Sequence, residues 1–317
     1  MRVVFMGTPE FAVESLRALT EMPVEVVGVF TQPDRPVGRG HKIEKPPVKI
    51  LAEEKGIPVF QFEKIRKQEG LDALRALKPD LCVTAAFGQI LSKKILEVPR
   101  LGTINVHASL LPKHRGAAPV NQAIIMGDTK TGVTTMLTDV GLDTGDMLLS
   151  AVTDIGEDET AGELTVRLAR LGAELLKETI TRYAAGELQP VKQDETLATY
   201  EPMMDKTAGR IDWNRSVREI YNLVRGVDPW PGAYTCYNGE VMKVWKVSAQ
   251  TGQSAVPGTV IRSSGREGLA VACADGAVEI VELQMPGGKR MSAKAYLAGK
   301  KIPTGTVLGE QNVSENQ

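Results

Sequence analysis

Cysteine and histidine are scarce, with three of each in 317 residues. Cys82, Cys236 and Cys273 form no C-x-x-C pair, and an odd number gives no disulfide framework. They read as buried or indifferent thiols in a reducing cytoplasm. Three histidines without ligand spacing argue against any metal. No apolar run approaches the roughly 20 residues that span a bilayer. The N-terminal stretch MRVVFMGTPEF reaches Pro9 after a short apolar run, too soon for a signal segment and well suited to a first buried strand. A phosphate loop G-x-x-x-x-G-K-[ST], an H-E-x-x-H pair and a G-x-S-x-G elbow are all missing. The first strand–helix turn, Gly7-Thr8-Pro9-Glu10-Phe11-Ala12, places Pro and Ala where a dinucleotide fingerprint needs glycines.

What is present is an ordinary soluble composition, 42% hydrophobic and 24% charged, long enough for two domains. Net charge is −1, but it is unevenly spread. From Lys206 onward there are 14 Lys and Arg against 10 Asp and Glu, and before it 24 against 29. A basic C-terminal part hints at a nucleic-acid partner, although a solvated face explains such an imbalance equally well.

Short apolar runs suited to buried strands are Val3–Met6, Val24–Phe30, Leu81–Ala86, Thr103–His107 and Val133–Leu137. Between them lie helical patterns, the first starting at Thr8 as N-cap with Pro9 in first position. Others cover about Val48–Lys55, Glu69–Leu77, Pro119–Met126 and Ala161–Ala184. The alternation predicts an α/β domain over residues 1–186, a Rossmann-like, mainly parallel sheet with helices on both faces. Ligands of such sheets bind beyond the carboxyl ends of the strands. Residues 187–208 read as a polar linker. Residues 209–309 then show one helix, about Ser216–Val224, and short strands around the turns Asn238-Gly239 and Asp275-Gly276. They predict a smaller β-barrel, and 310–317 a polar tail.

Two segments carry candidate chemistry. In Thr103–His107 the side chains alternate, so Asn105 and His107 project from one face of a strand end, where amide and imidazole address one carbonyl oxygen. The alternative is a polar strand end that merely caps loop backbone. Asp139-Val-Gly-Leu-Asp143-Thr-Gly-Asp146 follows Val133–Leu137, again at an expected carboxyl end, where a carboxylate would orient His107. The alternative there is a structural acidic turn. Arg35-Pro-Val-Gly-Arg39-Gly-His41-Lys42 is a basic, glycine-rich loop fit for phosphates, or simply a solvated one.

Gly102-Thr-Ile-Asn105-Val-His107-Ala-Ser109-Leu-Leu-Pro112, followed by Arg115-Gly-Ala-Ala-Pro119, resembles the signature of the folate-dependent formyltransferases. Asp139–Asp146 resembles their second signature, at the expected distance. Gly7–Phe11, the loop Thr31–Gly40 and the C-terminal part are similar, more narrowly, to the members that formylate methionyl-initiator tRNA. The resemblance runs from Met1 to about Gly309. It implies formyl transfer from 10-formyltetrahydrofolate to a charged initiator tRNA, with Asn105, His107 and Asp143 catalytic. It further implies that Ser109, Leu110, Leu111 and Pro112 lie against the reduced folate, and that the C-terminal barrel is OB-like. Arg35, Arg39, His41 and Lys42 would meet the acceptor stem, and Arg210, Lys243 and Lys246 the tRNA phosphates. A cytoplasmic monomer without metal, membrane or DNA partner is expected. Rival readings are a small-amine formyltransferase, a formyl-folate hydrolase and a non-catalytic tRNA-binding protein.

Overall fold

The first apolar run forms strand β1 (Arg2–Gly7), whose residues Val3 to Met6 are all fully buried. A strand without alternation needs cover on both faces. In the computed structural model, which describes residues 1–37, 42–250 and 255–309, this cover is helical. After β1 come α1 (Glu10–Glu21), β2 (Glu25–Thr31), β3 (Arg35–Val37), β4 (Lys42–Glu44), α2 (Pro47–Glu54), β5 (Val59–Gln61) and α3 (Gln68–Ala76). The chain continues with β6 (Leu81–Ala85), α4 (Lys93–Leu96), β7 (Thr103–His107), β8 (Arg115–Gly116), α5 (Pro119–Ile125), β9 (Lys130–Leu137), β10 (Met147–Asp154) and α6 (Ala161–Ala184). Then follow β11 (Tyr200–Glu201), α7 (Val217–Gly226), β12 (Ala233–Tyr237), β13 (Glu240–Gln250) and β14 (Val260–Ser264). Last come β15 (Gly268–Cys273), β16 (Gly276–Gln284), β17 (Met291–Ser292) and α8 (Ala293–Gly299).

Contacts divide the chain into two units, one of Met1–Pro119, Lys130–Asp154 and Leu164–Glu201, the other of Val120–Thr129, Ile155–Glu163 and Pro202–Gln317. The first holds a seven-stranded sheet in the order β10-β9-β7-β6-β1-β2-β5. Its members from β7 to β5 are parallel, whereas β9 runs antiparallel to β7 and β10 antiparallel to β9. Val4, Met6 and Cys82 pack with Leu71 and Leu74 of α3 on one face. Burial of such a leucine contributes about 1.5–3 kcal/mol. On the other face Val106 and Val133 meet Gly172 of α6. The mainly parallel sheet with helices on both faces is therefore the one expected.

Three local details differ from expectation. Thr8 does not cap α1; its hydroxyl donates to the Phe87 carbonyl and accepts from the Gln32 amide, joining the ends of three parallel segments instead. The flanks of the basic loop pair as a hairpin, Arg35 opposite Glu44 and Pro36 opposite Ile43. Residues beyond 186 stay with the first unit as far as Glu201: Val191 pairs with Met147, and β11 with β8.

The second unit is an antiparallel sheet in the order β12-β13-β16-β15-β14, with β17 beside β16. Among the described residues no strand pair joins its two ends. Instead, the segment 305–309 bonds to both: Val260 donates to Thr306, Leu308 to Gly258, and Gly309 to Cys236 of β12. Among the described residues, closure is by the segment 305–309 rather than by strand-to-strand pairing.

Candidate active site

Strand β7 is only five residues long, and its alternation sorts them cleanly. Val106 faces α6, while Asn105 and His107 lie on the face shared with their cross-strand partners Met136 and Thr134. Parallel pairing sets Thr84 of β6 beside Asn105, and the Thr84 hydroxyl donates to Asn105 Oδ1 at 2.8 Å. That bond assigns the oxygen side of the amide and leaves Nδ2 free to donate.

His107 is buried, and its Nε2 lies 2.9 Å from the backbone oxygen of His114. A carbonyl only accepts, so Nε2 carries a proton and Nδ1 is the nitrogen left for chemistry. His114 has φ +56°, and its Nδ1 sits 2.8 Å from Glu201 Oε1.

Asp143 completes the cluster by an unexpected route. Because β9 is antiparallel, its carboxyl end lies beside the start of β7, with the Thr138 amide bonded to the Thr103 carbonyl. The expectation of a shared carboxyl end is thus corrected. The following loop doubles back over the sheet face, and Asp143 reaches Asn105 Nδ2 at 3.4 Å and His107 Nδ1 at 3.7 Å. Its Oδ2 also accepts from the Gly116 amide at 2.9 Å. Asp143 has φ +54°, a left-handed conformation that costs an L residue roughly 1–2 kcal/mol. Asp139 tightens the loop by accepting from the Gly141 amide and the Thr144 hydroxyl. A Cβ on Gly145 would overlap the Leu137 carbonyl.

Around the cluster lies a second set of polar residues that periodicity does not reveal. Arg115 is fully buried and forks onto the Glu195 carboxylate at 2.8 and 2.9 Å. It also donates to the Tyr200 hydroxyl, and the Glu195 contact raises its already high pKa. Arg115 Nε meets Gln193 Oε1 at 3.0 Å. Gln193 Nε2 donates in turn to the carbonyls of Asp143 and Gly145, at 2.8 and 2.7 Å.

The other candidate residues are scattered. Ser109 is fully buried, and its hydroxyl is taken by the Lys113 carbonyl at 2.6 Å. Leu111 is buried, and its amide bonds to Thr134 Oγ1. Leu110 and Pro112 are half-buried. Arg35 is exposed and paired with Glu63, while Lys42 belongs to β4. Arg39 and His41 lie outside the described residues. In the second unit, Arg210 bridges to Tyr234 through its backbone. The Lys243 ammonium sits 3.2 Å from the Pro231 carbonyl and over the Trp245 ring, whereas Lys246 lines a cleft with Arg218, Tyr221, Glu157 and Asp158. Among the described residues no group of three His, Cys, Asp or Glu is placed to hold a metal, and no helix is long and apolar enough to cross a membrane.

Comparison with known proteins gives this geometry a context. The family described as Formyl transferase matches residues 1–180, and Formyl transferase, C-terminal domain, matches 203–301. The methionyl-tRNA formyltransferase of Citrifermentans bemidjiense is 54% identical over 314 residues, covering 99% of this chain and 98% of that protein. Among solved structures, an N-formyltransferase from Helicobacter canadensis, in complex with folinic acid and dTDP-3-aminofucose, superposes with a TM-score of 0.64. It is 18% identical, over 91% of this chain and 99% of that one. HypX from Aquifex aeolicus, in complex with tetrahydrofolic acid, gives a TM-score of 0.62 at 18% identity over 96% of this chain. The chain spans only about half of HypX, 50% of its length. At these identities the two structures speak for the fold alone. Matched nearly from end to end by this relative and over residues 1–180 by the Formyl transferase family, the chain belongs to the formyl transferase family, on the branch of the methionyl-tRNA formyltransferases.

Proposed function

We propose that the protein moves the formyl group of 10-formyltetrahydrofolate onto the α-amine of methionyl-initiator tRNA. The observation that carries this reading is the meeting of an amide, an imidazole and a carboxylate on one strand face, from positions 38 residues apart. The identity of over half the residues with a methionyl-tRNA formyltransferase, C-terminal part included, favours a tRNA acceptor over an amino sugar.

The neutral amine attacks the formyl carbon, forming a C–N bond and a tetrahedral oxyanion. Asn105 Nδ2, its oxygen side already occupied by Thr84, donates to that oxyanion. His107 donates from a protonated Nδ1, its Nε2 being held by His114. Each such donor is worth about 10²–10³ in rate. Asp143 balances the imidazolium and takes the proton released by the attacking amine. The bond to folate N10 then breaks, and N10 receives that proton. No enzyme nucleophile is needed. The half-buried Leu110 and Pro112 offer apolar surface for the folate ring, whereas the sealed Ser109 serves the loop itself. Arg35, Arg39, His41 and Lys42 address the acceptor stem, and Arg210 and Lys246 the phosphates; Lys243, tied to Pro231, is less available.

The test is formyl transfer from 10-formyltetrahydrofolate to charged initiator tRNA, charged elongator tRNA and a 3-amino sugar nucleotide in parallel. Selective formylation of the initiator is the expected result. Formylation of the sugar alone, or release of formate without any acceptor, would overturn the reading.

A further inference from the structure

The geometry points to Gln193 as the positioning residue that holds Asp143 over the sheet. This rests on the role proposed above for Asp143. The loop carrying Asp143 leaves β9 at the wrong end of β7 and must fold back to reach His107, with Asp143 itself in a left-handed conformation. Such an arrangement persists only when surrounding contacts over-determine it. The Asp143 side chain accepts from the Gly116 amide at 2.9 Å and, at a longer 3.4 Å, from Asn105 Nδ2. Its backbone is held by Gln193, which spends both amide protons on the loop, one on the Asp143 carbonyl and one on the Gly145 carbonyl.

Gln193 delivers those protons because its own orientation is fixed. Arg115 Nε donates to Gln193 Oε1, which turns the NH₂ group toward the loop. A guanidinium has no acceptor, so the reverse orientation would set NH₂ against N–H. Arg115 is in turn clamped by the forked contact to Glu195 and by Tyr200. A chain of charge-assisted and neutral hydrogen bonds thus runs from the surface carboxylate of Glu195, through a fully buried arginine, to the backbone of Asp143. Gln193 touches neither His107 nor Asn105 in this network; it acts through the loop.

The experiment is a double-substitution cycle read by steady-state formyl transfer to charged initiator tRNA. Gln193→Met keeps the length and removes both donors. We expect it to lower kcat about tenfold, as loss of buried hydrogen bonds worth one or two contacts implies, while both KM values stay within about twofold. In an Asp143→Ala background the same substitution should change kcat by less than about twofold, because the group it positions is gone. An unchanged kcat for Gln193→Met, or an equal further loss in the Asp143→Ala background, would overturn the proposal. If Asp143→Ala itself leaves kcat intact, the catalytic reading fails first, and that result is distinct. Should Gln193→Met not fold, Glu195→Ala, which loosens Arg115 from the exposed side, is put through the same cycle with the same two deciding outcomes.

Discussion

Thr84 and Asn105 sit side by side on neighbouring parallel strands, and the threonine hydroxyl donates to the asparagine oxygen at 2.8 Å. The bond decides which end of the amide faces Asp143. Thr84→Val keeps the shape and removes the donor, so the Asn105 amide becomes free to turn over. We expect kcat to fall about fivefold, the equivalent of about 1 kcal/mol for such a bond. An unaltered kcat would mean that Asn105 is oriented by other contacts.

Asn105→Ala and His107→Ala should each lower kcat at least about a hundredfold, the usual cost of a lost oxyanion donor. Affinity for tRNA, measured by filter binding, should hardly change. Full turnover in both variants would refute the assignment.

Gly116 has φ +110°, and a Cβ there would overlap the Glu201 carbonyl of the paired strand β11. Its amide also holds Asp143. Gly116→Ala should therefore both lower the melting temperature and cut kcat, each measurable on the purified variant. Preserved activity at normal stability would show that β8 and β11 separate without consequence.

Asp80 accepts from the Arg2 amide and from Arg100, and these two contacts hold its carboxyl below the usual range. A depressed folded-state pKa stabilises above the unfolded value of about 4 and loses that contribution as pH falls through the folded value. Asp80→Asn should lower the melting temperature at pH 7, and the gap to the parent should narrow toward pH 3. A gap independent of pH would assign the effect to packing.

Arg39→Ala is expected to reduce kcat/KM for charged tRNA, with a smaller effect at high salt, because phosphate contacts release counterions. A change confined to the KM for formyl-folate would place Arg39 in the donor site instead.

The Asn105/His107 pair was legible because a strand's two-residue period is strict, and the paired position of Asn105 and His107 on one face follows from it. The route of Asp143 was not. Val133–Leu137 is equally apolar whether its strand runs with or against its neighbour, so the run says nothing of direction. Strand β10 has no clear signal in the sequence because Met147–Asp154 is an edge whose exposed positions mix Ser150 and Asp154 with the apolar Val152. Gln193 and Glu195 lie in a stretch without periodicity, and Arg115 finds them across 78 and 80 residues. Such pairings are decided by tertiary packing, and a polar stretch that fastens an active-site loop looks the same in sequence as one that merely connects.

The closure of the second unit's sheet by residues 305–309 has a consequence for biosynthesis. A nascent chain halted before Thr306 carries every strand of that sheet yet leaves the Cys236 carbonyl of β12 and the Val260 amide of β14 without these partners. Unpaired edges invite other strands. Loss of the segment 305–309 would therefore yield a product prone to stick to its own kind rather than a slightly shortened enzyme.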